Sequence, residues 1–424
     1  MNDQMHAYTE AVKSGTYAKK SGLTGKYDNV RKYWEDEITR QYIRPFLQKL
    51  IENKKQSLKR LRILDLGCGS ADGYELLSGI RYRYPNLQEV EINMLTPEIL
   101  GQYTGLELND ELIEQALEIY GNDPKMTFRK GDFTKGLPVG KKEEPYDLYF
   151  TSFGTCSHHN RDETLVSLLA GIAEKTEDRA LIICDWLGRF SYEWQTLWTN
   201  DFNKIKNMDY VVSYVYEKEE REEKRDELQH LTLRLMSRQE AEKIIKAASK
   251  KAKVPIKISN FFDRSVFTGR HMDTADYNPH AQPIRQAVNS LHEAGMRTDL
   301  RSLIINYVPR EGFSFLNSYL ENIQSIWNVL VEYTEELLLD YDEEKQSFRS
   351  RQAPPPASYP PVLREMMDRM RRVIEDTGWF NIGSPRENII EPQLGYALRH
   401  LITNSQKGIG CGHGLVGILE IDKT

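Results

Sequence analysis

At 424 residues the chain exceeds one compact α/β domain of ordinary size, so two domains are expected. Hydrophobic residues make up 39% and charged residues 28%, and the longest apolar runs fall far short of a membrane span, which argues against a transmembrane protein. A formal net charge of −6 argues against docking on nucleic acid or an anionic membrane.

Residues 1–58 are polar and mostly helical in pattern, with helical spacing over 33–51 through Trp34, Ile38, Tyr42 and Phe46. Residues 1–17 lack the apolar core of a signal peptide. Ile63 to Leu66 is a short apolar run, expected to be a buried parallel strand. It breaks into Gly67-Cys68-Gly69-Ser70-Ala71, and a helical pattern starts near Asp72. Gly67 and Gly69 have no Cβ and let the backbone approach a ligand closely. The spacing is not the dinucleotide fingerprint, and no Gly-Lys-Ser/Thr follows as in a P-loop.

Residues 105–109 form the next predicted strand, with Glu107 near its end. A helix follows over 110–120, with Leu112, Ile113, Ala116, Leu117 and Tyr120 on one side. Glu91 competes with Glu107 on spacing, but Pro97 follows too soon for a helix of that kind, so 85–100 is expected to be an insertion. Further strands are expected at 126–133, 146–154 and 180–185. Then come a strand over 209–216, a mixed-charge hairpin tip or helix end at 217–227, a strand at 231–236, a helix over 238–250 and a closing strand at 254–262. The polar stretch Gly269 to Asp273 is expected either to face substrate or to form the domain junction, with the junction favoured. Beyond it lie helical patterns at 282–294, 313–343, 361–376 and 389–404, a mixed apolar segment at 300–308, and a linker at 351–361 holding five prolines. The glycine-dense run Gly408 to Gly414 precedes a probable strand at 415–421. A phosphate site needs helix amides there, so the run is expected to be a tight turn. Cys68, Cys156, Cys184 and Cys411 are scattered, which suits a reduced, cytoplasmic protein.

The string Asp65-Leu66-Gly67-Cys68-Gly69 resembles motif I of class I S-adenosylmethionine-dependent methyltransferases. The later strands follow in the order that family requires. The third glycine position is Ala71 here, and the interval from Asp65 to Glu107 is longer than usual. The resemblance covers about residues 25–262. It implies a Rossmann-like, seven-stranded α/β sheet closed by an antiparallel strand, with an N-terminal helical lid and a mostly helical C-terminal region. The expected domains are 1–58 (lid), 59–263 (methyltransferase) and 264–424. The implied cofactor is S-adenosyl-L-methionine. It would be held by Tyr27, Asp65, Gly67, Cys68, Gly69, Glu107, Leu108, Asp132, Phe133 and Ser152. In this reading Glu107 takes the ribose diol, Asp132 the adenine amino group, and Phe133 flanks the ring.

The loops after strands four and five are the candidate catalytic places, because ligands of open α/β sheets lie beyond the carboxyl ends of the strands. His158 and His159 are candidate proton acceptors, and Arg189 a candidate clamp for a substrate carboxylate. The Ser-Phe-Gly-x-x-Ser-His and Asp-x-x-x-Arg strings are loosely similar to glycine N-methyltransferase-like small-molecule enzymes. Adjacent histidines point apart and no third ligand is evident, so no metal is expected. The expected activity is methyl transfer to N or O of a small molecule. A protein or peptide methyltransferase and a non-catalytic binding protein are the alternatives. The stripe Phe315, Leu316, Tyr319, Leu320, Ile323, Ile326 and Trp327 must be buried. Packing within the chain, as a roof over the active site, is favoured over a homodimer.

Overall fold

The computed structural model describes residues 25–82, 92–216, 218–223, 228–380 and 382–423, together with Val12 and the backbone of 21–22. In chain order the main helices of the first part are α1 (Asp36–Gln56), α2 (Asp72–Ser78), α3 (Asp110–Tyr120), α4 (Asp162–Lys175) and α5 (Arg238–Ala252). The strands are β1 (Leu61–Leu66), β2 (Leu100–Glu107), β3 (Met126–Lys130), β4 (Leu148–Phe150), β5 (Arg179–Gly188), β6 (Asn207–Val211), β7 (His230–Met236), β8 (Lys257–Arg264) and β9 (Gly414–Asp422).

Seven strands stand in the order β3-β2-β1-β4-β5-β9-β8. The first five are parallel, and β9 is antiparallel to both β5 and β8. The β6–β7 antiparallel pair joins the end of β5, where Leu187 and Gly188 face Leu235 and Met236. Successive side chains of a strand face opposite sides, and both sides are covered here, as a parallel sheet requires. Ile63, Leu181, Ile183, Val416 and Ile418 pack with Ile43, Leu47 and Leu50 of α1 and Leu76 of α2. Leu64, Ile182, Cys184, Leu415 and Leu419 pack with Leu165 and Leu169 of α4 and Ile244 and Ile245 of α5.

The seventh strand corrects the expected organisation. The antiparallel strand is β9, not 254–262, which forms the edge strand β8 instead. Residues 265–413 therefore form an insertion between the last two strands of the sheet. The insertion holds α6 (Ile284–Leu291), α7 (Ser314–Asp340), α8 (Pro361–Glu375) and α9 (Glu391–Ser405). The α7 stripe is buried inside it apart from Phe315, which is 62% exposed. The expected strand at 209–216 ends at Val211, and 300–308 forms a short turn at Leu300–Leu303. Strand two runs to Glu107, whereas Glu91 lies outside the described residues. Among the described residues no helix is long and apolar enough to cross a membrane.

Candidate cofactor and acceptor sites

The glycine loop leaves β1 with the Gly67 and Cys68 amides both donating to the Leu106 carbonyl, 2.8 and 2.9 Å. Gly67 has φ +71°, and a Cβ there would lie 2.7 Å from the Thr155 methyl. A side chain there would collide with Thr155. Glu107 stands at the carboxyl end of β2. Its Oε2 accepts the Gly69 amide at 3.0 Å, and its Oε1 accepts those of Leu108 and Asn109 at 2.7 and 3.2 Å. Three amides fix the carboxylate, while burial raises its pKa above the usual value.

These groups border an open cavity. Gly67, Cys68, Gly69, Glu107, Leu108, Phe133 and Ser152 line it. Three expected cofactor residues stand back from it. Asp65 lies under the loop, accepts the Tyr103 hydroxyl at 2.5 Å, and is pushed up to about 7 by burial. Asp132 caps a turn, accepting the Thr134 amide at 3.0 Å and pairing with Lys135 at 2.9 Å. Tyr27 hydrogen-bonds Asp72, and the Arg31 guanidinium lies 4.9 Å from the centre of its ring.

Sequence reasoning did not assign Lys26, Arg31, Asp72, Phe153 and Thr155 to this site, and they also line the cavity. Lys26 pairs with Asp72 at 2.5 Å, and both are buried. Burial opposes ionisation of Asp72, but Lys26 and Arg31 outweigh it and hold the carboxyl well below its usual range. The segment carrying Lys26 and Arg31 is tied down by the insertion. Arg285 grips Asp28 with two bonds of 2.6 and 2.7 Å and Glu35 with one of 2.8 Å. The Trp34 indole donates to His292 at 3.0 Å.

A second cavity adjoins the first, and Lys26, Arg31, Phe153 and His158 line both. Its other walls include Glu35, Leu187, Tyr210, Tyr214, Arg264, Arg270 and His413. Arg270 was expected at a domain junction. It faces this cavity because it follows β8 at the carboxyl edge of the sheet. It donates to the Gly25 and Lys26 carbonyls at 3.1 and 2.9 Å. The Arg31 and Arg264 guanidinium groups stack on the Phe153 ring, 3.1 and 4.6 Å from its centre. Arg264 also pairs with Asp185 at 3.0 Å.

The two histidines diverge. His158 faces both cavities, and burial pushes it down to about 4. His159 turns away, with Nδ1 3.0 Å from the Thr164 hydroxyl and its ring against Phe133. Arg189 is not available as a clamp. It is completely buried, bonds Glu240 through Nε and Nη2 at 2.6 and 2.7 Å, and donates Nη1 to the Ile205 carbonyl at 3.0 Å.

No family model and no curated protein matches the chain. Among solved structures, it is similar to an S-adenosylmethionine-dependent methyltransferase from Clostridium acetobutylicum, with 13% identity, 61% of this chain and 91% of that one covered, and a TM-score of 0.35. Magnesium protoporphyrin IX methyltransferase from Synechocystis, solved with bound S-adenosylhomocysteine, gives 12% identity, 62% and 92% coverage, and a TM-score of 0.34. An amino pentose methyltransferase from Micromonospora echinaspora gives 13%, 62%, 93% and 0.31. The order of the seven strands, with its antiparallel next-to-edge strand, is the class I methyltransferase fold.

Proposed function

We propose that this chain is an S-adenosylmethionine-dependent methyltransferase acting on N or O of a small molecule. The observation that carries the reading is the first cavity: a glycine loop facing a strand-end carboxylate held by three backbone amides. Such a cradle suits an adenosyl group, with Glu107 toward the ribose and Phe133 and Thr134 beside the base. Lys26, Asp72 and Arg31 suit the charged methionyl end. The cofactor supplies a methyl group on a cationic leaving group, so the protein's task is mainly alignment. The neighbouring cavity would hold the acceptor, with His158 at the shared wall. Its roof, formed by residues 25–35 and braced by the insertion, favours a small acceptor over a protein chain.

Titration calorimetry with S-adenosylhomocysteine tests this. Binding in the micromolar range is expected, about −8 kcal/mol. Glu107→Ala should weaken it by about 1–3 kcal/mol, the cost of losing a buried hydrogen-bonding partner. Absence of binding to the wild-type chain would sink the proposal.

A further inference from the structure

The glycine-dense run 408–414 does more than turn the chain. Asp263, at the end of β8, accepts the amides of Ile409, Gly410 and Cys411 at 3.0, 2.8 and 3.0 Å. The Gly410 carbonyl accepts the Phe190 amide at 2.7 Å. A Cβ on Gly412 would lie 2.2 Å from the Arg264 carbonyl oxygen, so that position has no room for a side chain. It then enters β9 with Gly414 opposite Leu187. His413 is thereby delivered to the carboxyl end of β5, on the wall of the second cavity.

Its surroundings fix the ring. Nδ1 lies 3.0 Å from both oxygens of Glu193. That carboxylate is buried and also accepts the Ser191 hydroxyl at 2.9 Å and the His271 amide at 2.7 Å. Trp194 and His271 pack on the imidazole, with ring centres 5.5 and 6.4 Å away. An ionised carboxylate can only accept, so Nδ1 carries a hydrogen, and in the neutral ring Nε2 carries the lone pair. No described residue hydrogen-bonds Nε2. His158, by contrast, has no carboxylate partner among the described residues, and its low basicity suits proton uptake poorly at neutral pH.

We propose that His413, oriented by Glu193, is the proton acceptor of the second cavity, and that its substrate is a small molecule with a hydroxyl or protonated amine as nucleophile. This rests on the methyltransferase reading above. The proton on the acceptor's oxygen or nitrogen passes to Nε2. The pair left behind forms the bond to the methyl carbon, and the methyl–sulfur bond breaks with its pair on sulfur. A positive charge ends on the His413 imidazolium, facing Glu193. Lys26, Arg31, Arg264, Arg270, Glu35 and His158 face the same cavity, so their fields shape the pH profile too.

The test starts with S-adenosylhomocysteine binding to wild-type, His413→Gln and Glu193→Gln chains. Equal affinities are expected. A wild-type chain that does not bind overturns the methyltransferase reading itself. Diethyl pyrocarbonate at neutral pH, mapped by mass spectrometry, reads Nε2 without any acceptor. His413 should react in the wild-type chain and lose that reactivity in Glu193→Gln. If His158 is modified while His413 stays inert, the assignment is overturned. Release of S-adenosylhomocysteine with a panel of small phenols, hydroxy acids and amines then gives turnover. His413→Gln should lower kcat about 10²–10⁴-fold and abolish the acid limb of the kcat/KM profile. His158→Gln should keep that limb. Wild-type kcat and an intact acid limb in His413→Gln would equally overturn it.

Discussion

Asp65 and Arg189 are both completely buried and stand back from the two cavities. Asp65 is buried beneath the glycine loop, and a Cβ on Gly73 would lie 2.1 Å from its Oδ2. Its carboxyl titrates at about 7 because burial disfavours the charge. The folded value lies above the unfolded one, about 3.9. Its contribution to stability is therefore full below about pH 4 and is lost as the pH rises through about 7. Asp65→Asn should remove that loss, so the variant's melting temperature should fall less than the wild type's between pH 5 and 8. Circular dichroism melts across that range check it, and parallel curves would refute it. Arg189 tests the opposite case. Breaking its buried pair with Glu240 through Arg189→Met should cost about 3–5 kcal/mol in denaturant unfolding. Affinity of the folded fraction for S-adenosylhomocysteine should not change. That Gly67, Glu107, Phe133 and Ser152 would lie around one cavity was legible because strand, turn and strand end follow one another locally. That Lys26, Arg264 and His413 would approach the same sheet edge was not, because no local pattern records which distant segments meet there.

Whole elements were legible wherever periodicity decides. Helix α3 spans the predicted 110–120, with an Asn109 cap accepting the Leu112 amide at 3.2 Å. The run 415–421 was recognised as a strand, but its partners were not. A fully buried strand shows no alternation to say which neighbours it takes. The N-terminal segment was expected to be a lid, and its anchorage to the insertion could not be read from its composition. Arg285 is the centre of that anchorage, holding Asp28 and Glu35 together. Arg285→Met leaves both carboxylates buried without their cation. Hydrogen exchange should then accelerate over residues 25–35 while β1 and β4 keep their protection, and S-adenosylhomocysteine affinity should drop. Unchanged exchange in the segment would show that the insertion does not brace it.

For the molecule as a whole, the insertion and the sheet cannot be parted by a single cut. A chain ending at Asp263 loses β9 from between β5 and β8, exposing two unpaired strand edges and the apolar flanks that Val416 and Leu419 covered. Such a shortened chain is expected to aggregate and to lack the far-ultraviolet dichroism of a closed sheet. A soluble, cooperatively melting 1–263 chain would contradict the topology described here.

The late position of β9 also sets a timetable. On a ribosome, β5 and β8 emerge first and wait while all of residues 265–413 are made, because the strand that joins them is synthesised after the helical insertion. During that interval both edges are open to the wrong partner, whether another nascent chain or each other in a shifted register. Long-range pairing of this kind also slows folding. Insertion helices that bury their own apolar stripe before β9 arrives would keep that stripe from adding to the exposed apolar surface during the interval.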